Sequence, residues 1–183
     1  MQYYDGSSWA TVGPSASGFA VVKAETAFSA VSSFTADSVF SSNYTNYQMN
    51  IRFTTSSTGS LSFQLRSGGV ATTTNYNRQY ISGNSGASPT VSAASSYGTS
   101  SADFALYTNG SFTSAVTMTL FGPQLAESTS YLSLQMWTPA TYTNLQTFWA
   151  GNHSASTSFD GIGVLVSTGT MTGTYTIYGM AKS

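Results

Sequence analysis

The groups able to move a proton or hold a charge are few: Asp5, Asp37, Asp103, Asp160, Glu25, Glu127, Lys23, Lys182, His153 and three arginines, Arg52, Arg66 and Arg78. Acid–base catalysis needs a perturbed carboxylate, imidazole or amine held in a site. The densest stretch is 151–161, GNHSASTSFDG, where His153, Ser154, Ser156, Ser158 and Asp160 supply the residue types of a hydrolase triad. No G-x-S-x-G elbow accompanies them, and the stretch reads more simply as a polar loop feeding a strand at Ile162. A retaining glycosidase needs two carboxylates about 5 Å apart, and Asp103 with Asp160 is the pair to consider. One histidine, scattered carboxylates and no cysteine give no metal-ligand spacing. No glycine-rich phosphate loop follows a strand and opens a helix. The expectation is a non-enzymatic protein with no catalytic residues, no cofactor and no metal.

The arginines and tyrosines leave two binding chemistries open. Arg52 and Arg66 fall at polar-face positions of two strands expected to pair, where they suit a small anion or, more simply, backbone carbonyls and solvent. Tyr44, Tyr47, Tyr76, Tyr80, Tyr97, Tyr107, Tyr131 and Tyr142 offer faces on which a sugar ring stacks. For any one of them the simpler reading is a strand aromatic with its hydroxyl at the rim. The acceptor patterns at Asn43, Asn109 and Asn152 carry no weight in a chain where a third of residues are Ser or Thr.

Composition narrows the field further. The chain has 183 residues, suited to one domain with a short appendage. It is 6% charged with a net charge of −1, against about 25% charged in ordinary soluble domains. Five basic residues make no footprint for nucleic acid and no polybasic patch for an anionic membrane. Polarity comes instead from 33 Ser and 27 Thr, while 14% aromatic residues argue against a disordered linker. The start lacks the basic and apolar regions of a signal peptide, and no apolar run of 18 residues suggests a membrane span.

The elements that would position these groups read as strands almost throughout. Met49, Ile51 and Phe53 alternate with polar neighbours, as do Leu61, Phe63 and Leu65, with a Thr58-Gly59 break that predicts a hairpin between them. Val116, Met118 and Leu120, and then Leu132, Leu134 and Met136, repeat the pattern. Further strands are expected at 19–23, 28–34, 77–81, 104–107, 144–149, 162–166 and 174–180. Residues 82–101 read as a long low-complexity surface loop, and 124–130 as room for one helical turn. Tyr3-Tyr4-Asp5-Gly6-Ser7-Ser8-Trp9 reads strand, Asp-Gly turn, strand, and 13–18 reads as a linker. The organisation predicted is an arm, 1–18, and a body, 19–183. Turn signals at roughly 8–12-residue spacing predict an all-β, antiparallel two-sheet sandwich.

Several segments also carry a family resemblance. Tyr4-Asp5-Gly6-Ser7-Ser8-Trp9 resembles the Y-[DN]-G-T-x-W hairpin that precedes head domains in phage fibre proteins. Ala30 to Phe34, followed by Val39-Phe40-Ser41-Ser42-Asn43-Tyr44-Thr45-Asn46-Tyr47, resembles the opening of a virion jelly-roll domain of tailed phages, cyanobacterial phages among them. Phe63-Gln64-Leu65-Arg66 and the close from Gly169 to Gly179 are similar to later parts of that domain, so the likeness covers about 19–180. It implies a jelly roll displayed on a virion as a homotrimer, with no catalytic residues to carry over. A short arm on one jelly roll suits a capsid decoration (cement) protein, whose partners are its own copies and the major capsid protein or other virion proteins. Tyr3, Tyr4, Asp5 and Trp9 are then the candidate virion-anchoring residues, because aromatics are favoured interface anchors. The alternative is a tail-fibre knob binding a host surface glycan through loops 82–101 and 138–147.

Overall fold

A computed structural model describes residues 2–4, 6–11, 18–84, 89–107, 110–137 and 145–181. Among them there are strands and turns and no helix. The strands are β1 (Gln2–Tyr4), β2 (Trp9–Thr11), β3 (Phe19–Val31), β4 (Ser33–Ala36), β5 (Asn46–Thr55), β6 (Gly59–Ser67), β7 (Val70–Ala71), β8 (Tyr76–Asn84), β9 (Val91–Thr99), β10 (Ala102–Tyr107), β11 (Gly110–Phe121), β12 (Thr129–Trp137), β13 (Leu145–His153), β14 (Gly161–Val166) and β15 (Met171–Met180).

The body is the expected two-sheet antiparallel sandwich. Its larger sheet has eight strands in the order β3-β15-β5-β11-β12-β13-β8-β9. The smaller runs β10-β6-β14-β4, with the short β7 also paired to β6. Eight strands form nested couples, first with last: β3 with β15, β4 with β14, β5 with β11 and β6 with β10. Successive couples fall in alternate sheets, the first and third in the larger and the second and fourth in the smaller. The hairpin β8–β9 and the pair β12–β13 lengthen the larger sheet, with β12 and β13 packed against β10 of the smaller.

Period-two alternation explains the core. Met49, Ile51 and Phe53 on β5 and Val116, Met118 and Leu120 on β11 point inward from the larger sheet. Leu61, Phe63 and Leu65 on β6 and Ile162 and Val164 on β14 meet them from the smaller. Phe63 packs edge-on against Tyr131 (4.9 Å between centroids) and Tyr76 (6.0 Å). Phe34 stacks on both Tyr175 (4.4 Å) and Phe28 (4.9 Å), which also touch each other (6.4 Å).

Several expectations need correction. The Thr58-Gly59 break is not a hairpin, because β5 and β6 belong to different sheets and make no ladder. Both strands have an apolar face, and those faces gain more by meeting across the core than by lying side by side. The strand expected over 28–34 is two: β3 ends at Val31 and β4 begins at Ser33 in the other sheet. Residues 82–101 are not one long loop, since β9 pairs with β8 from Val91 to Thr99. Ladder hydrogen bonds outweigh the weak strand preference of Ser and Ala there. The region 124–130 holds turns, with Leu125 N–H donating to Gly122 C=O (3.0 Å), and no helical turn.

The most consequential difference is on β12, where the apolar residues Leu132, Leu134 and Met136 are exposed while Thr129, Ser133 and Gln135 are buried with Tyr131. The inward polar groups serve the free edge of β10. Leu106 N–H donates to Gln135 Oε1 (2.8 Å), and Gln135 Nε2 donates back to Leu106 C=O. Ser133 Oγ donates to Phe104 C=O, and Tyr131 O–H to Asp103 C=O (2.7 Å). The side-chain amide of Gln135 thus stands in for the next strand of the smaller sheet. Gln135→Leu keeps the volume and orphans both Leu106 groups. Each orphan costs about 1–3 kcal/mol, so urea denaturation should show a loss of about 2–4 kcal/mol after the gain from burying leucine.

Candidate functional site

The arm is built as its sequence indicates. β1 and β2 form a two-stranded antiparallel sheet, with Tyr3 opposite Ala10 and Tyr4 opposite Trp9, and Gly6 takes a positive φ of 100° in the turn. Glycine meets that requirement without strain. This small sheet is separate from the two sheets of the body. Tyr4 is exposed; Asp5, the fourth candidate anchor with Tyr3, Tyr4 and Trp9, lies outside the described residues.

The acid–base candidates do not converge. His153 is buried, ringed edge-on by Tyr76 (4.8 Å) and Phe159 (5.0 Å). Neither ring nitrogen has a hydrogen-bond partner of normal geometry, so no serine is poised against it among the described residues. Ser154 and Ser158 hydroxyls donate instead to the carbonyls of Asn75 (3.4 Å) and Gln124 (2.7 Å). Asp160 accepts from Gly68 N–H at Oδ2 (3.0 Å), and its carbonyl accepts from Val39 and Phe40 N–H (2.8 and 3.0 Å). Its role is to hold a corner. Asp103 neighbours Ser62 on one flank of β6, and the turn bearing Asp160 meets Arg66 on the other. Four residues along a strand place those positions about 13 Å apart, well beyond the 5 Å of a retaining pair. Among the described residues no three His, Asp or Glu gather where a metal ion would sit.

The arginines divide. Arg52 is exposed on the outer face of the larger sheet. Arg66 pairs with Asp37 (Nε–Oδ1 2.6 Å) and donates to Gly69 C=O. Arg78 reaches inward to Asp103 (2.7 Å), whose other oxygen accepts from Ser62. This ion pair, with Tyr80, Ser95, Ser96 and Trp149, lines a pocket of about 180 Å³ beneath the overhanging β8–β9. The Trp149 indole N–H is buried without an acceptor.

The buried tyrosines Tyr47, Tyr76 and Tyr107 are strand aromatics whose hydroxyls pin loops, the simpler of the two readings, and not stacking faces for a sugar. Tyr47 O–H donates to Ser41 C=O (2.8 Å) and accepts from Ser41 N–H (2.7 Å). Tyr107 does the same with Thr168 (2.8 and 3.1 Å). Tyr76 accepts from Leu65 N–H (2.7 Å) and donates to Thr72 C=O (3.0 Å). Burial pushes the Tyr76 phenol up to about 12, against the lowering effect of the Leu65 N–H. Burial raises Tyr131 too, and the Asp103 charge adds to it while Arg78 opposes.

What remains is the outward face of the larger sheet. The β12 inversion puts Leu132 (40% exposed), Leu134 (54%) and Met136 (56%) in a column. Phe148 (44%) stands opposite Leu134, and Ile81 (57%) opposite Phe148, with Ala93 next across the sheet. The row contains no charged residue. It continues along Leu134 and Met136 into a groove of about 670 Å³ over β11, β5 and β15, where Glu25, Arg52 and Tyr178 also line the wall. A contiguous apolar patch of this kind marks an interaction surface. No strand pattern announced it, because Leu132, Leu134 and Met136 look the same whether they face in or out.

Burial lowers the His153 pKa, outweighing the proton-favouring carbonyls of Ala155 and Thr74. The folded protein therefore holds His153 neutral, while the unfolded chain takes up a proton below about 6.5. Stability is full above that pH and falls as the pH drops through it. Thermal unfolding of wild type and His153→Phe between pH 7.5 and 5 should show this decline in wild type and a flatter profile in the variant. Comparison of the chain with protein-family models, curated proteins and solved structures finds no match.

Proposed function

We propose that this chain is a non-enzymatic structural protein of a tailed-phage virion, a decoration (cement) protein on the outer capsid surface that steadies capsomer contacts as a homotrimer. The observation that carries this reading is the uncharged apolar row Leu134–Phe148–Ile81 with Leu132 and Met136 beside it. Such a surface is costly to leave in water and inexpensive to desolvate, because no charge has to be stripped of its hydration. Its occupant in this proposal is a neighbouring copy. The chain's low charge suits such a contact, and few ion pairs mean little sensitivity to salt. The resemblance of residues 19–180 to virion jelly rolls, together with the nested strand couples, supports the same assignment. The arm bearing Tyr3, Tyr4, Asp5 and Trp9 is assigned to the contact with the major capsid protein.

A second reading, a tail-fibre knob for a host glycan, draws on the pocket at Arg78, Asp103, Tyr80 and Trp149. Its fixed ion pair and unpaired indole N–H suit a hydroxylated ring. The two readings differ in copy number. Mass spectrometry of purified tailless heads and of tails should find the protein with heads, at one copy per one to three capsid subunits on the order of a surface lattice position. A few copies confined to tails would favour the knob, and absence from both would end the virion assignment.

Two variants test the contacts. Leu134→Glu should leave the melting temperature nearly unchanged, because the side chain is already in solvent, and shift the trimer to monomer in a sedimentation experiment. Deleting residues 1–18 should leave the body folded and abolish its decoration of stripped heads. Full occupancy by the truncated protein would remove the arm from the anchoring role.

A further inference from the structure

The two sheets have four edges, and an unprotected edge is a template for another strand. Three are managed. β3 carries Lys23 and Glu25 and pairs with β15 through three register shifts, which break any regular row of free groups. β4 is four residues long. The free edge of β10 is occupied by Gln135, Ser133 and Tyr131.

β9 is different. It runs nine residues, VSAASSYGT, without a charge or a proline. It ends the larger sheet, paired with β8 on one side and with no described strand on the other. From Val91 to Ser96 the ladder to β8 is regular, so the outer edge presents an unbroken row of backbone groups. Both faces are open: Val91, Ala93 and Ser95 on one and Ser92 and Ala94 on the other are all exposed.

We infer that β9 is a self-association edge, on which the β9 of a second copy adds antiparallel across a two-fold axis at Ala94. The sequence of the strand argues for this occupant. Antiparallel pairing centred on Ala94 sets Val91 opposite Tyr97, Ser92 opposite Ser96 and Ala93 opposite Ser95, each pair occurring twice. A β-branched residue facing an aromatic and hydroxyl facing hydroxyl are favourable cross-strand pairs. Small side chains at the axis let the backbones close, and there is no like charge to oppose itself. An isologous contact of this kind needs each residue to suit its own counterpart, and β9 meets that condition from Ser92 to Ser96 within its regular length, with the Val91–Tyr97 pairs at its two ends, where Tyr97 adjoins the register shift before Thr99. The two-fold contact is separate from the three-fold one proposed above and joins one trimer to the next.

The chain has no cysteine, so a single introduced thiol reports one neighbour. Directly opposed residues in an antiparallel pair have Cβ atoms about 4.5–5.5 Å apart, near enough for a disulfide after small adjustment. Ala94→Cys in the full-length protein, oxidised at micromolar concentration and run on a non-reducing gel, should give a covalent dimer. A millimolar local concentration makes that roughly a thousand-fold faster than collision, the rate expected of the control Val70→Cys, whose site is exposed on β7. Ala94→Lys and Ala94→Glu should each lose two-fold association in sedimentation, and their mixture should regain it. Equal cross-linking of Ala94→Cys and Val70→Cys, or no rescue in the mixture, overturns the proposal. Repeating the cross-link in Leu134→Glu separates the two contacts: a dimer that persists when the trimer is lost belongs to β9, and one lost with the trimer belongs to the apolar face and overturns the β9 assignment.

Discussion

Gln135 occupies the position on which the outer surface depends. Its amide both accepts from and donates to Leu106, so the last strand of the smaller sheet ends against a side chain instead of another strand. Side chains along β12 alternate strictly, and committing Tyr131, Ser133 and Gln135 to the inside commits Leu132, Leu134 and Met136 to the outside. The apolar exterior is the geometric counterpart of closing the β10 edge. A sheet with an ordinary alternation here would have had a buried leucine row and an open backbone, exchanging one kind of exposed surface for another.

The same economy runs through the rest of the body. With 6% charged residues, the fold uses two arginine–carboxylate pairs at sheet margins, Arg66 with Asp37 and Arg78 with Asp103. It relies on hydroxyls elsewhere. Tyrosines whose rings fill the core reach out to tie loops: Tyr47 to Ser41, Tyr76 to Thr72 and Tyr107 to Thr168. Each couples apolar burial to loop order in one side chain, which is the use a phenol allows and a phenylalanine does not. Ser56, Ser167 and Thr168 add long-range bonds that tie the turn before β6 to the turn before β15. Surface order is thus reached without the long, entropically expensive side chains of lysine and glutamate.

Much of the sandwich was legible in the sequence. Alternation at 49–53, 61–65 and 116–120 marked strands whose apolar faces are indeed buried, and the Asp-Gly signal marked the arm hairpin. Pairing was not legible, because alternation says which face is apolar and nothing about which neighbour lies alongside; hence β5 and β6, adjacent in the chain, part to opposite sheets. Residues 91–99 hid as a loop because Ser and Ala carry little strand preference and the ladder to β8 is a non-local effect. The candidate surface hid for a related reason. Whether Leu134 or Gln135 turns inward is decided by the unmet backbone of β10, a partner some thirty positions away in the chain. The hairpin of β1 and β2 was legible, while the outer face had no sequence signal of its own.

The nesting of the strand couples also orders events in time. β15 lies between β3 and β5, bonded to both, and β14 lies between β4 and β6. Without β15, β3 is cut off from the rest of the larger sheet, and without β14, β4 is cut off from β6 and β10. β5, β11, β12, β13, β8 and β9 can pair with one another before either strand is made. Closing the sandwich therefore waits for β14 and β15, and the β3–β15 ladder joins some of the most distant positions of the body, the arrangement that makes folding slow. Until those strands are made, the faces they later bury stand open. Order along the chain thus sets order in folding: one margin of each sheet waits on a strand from the chain's far end.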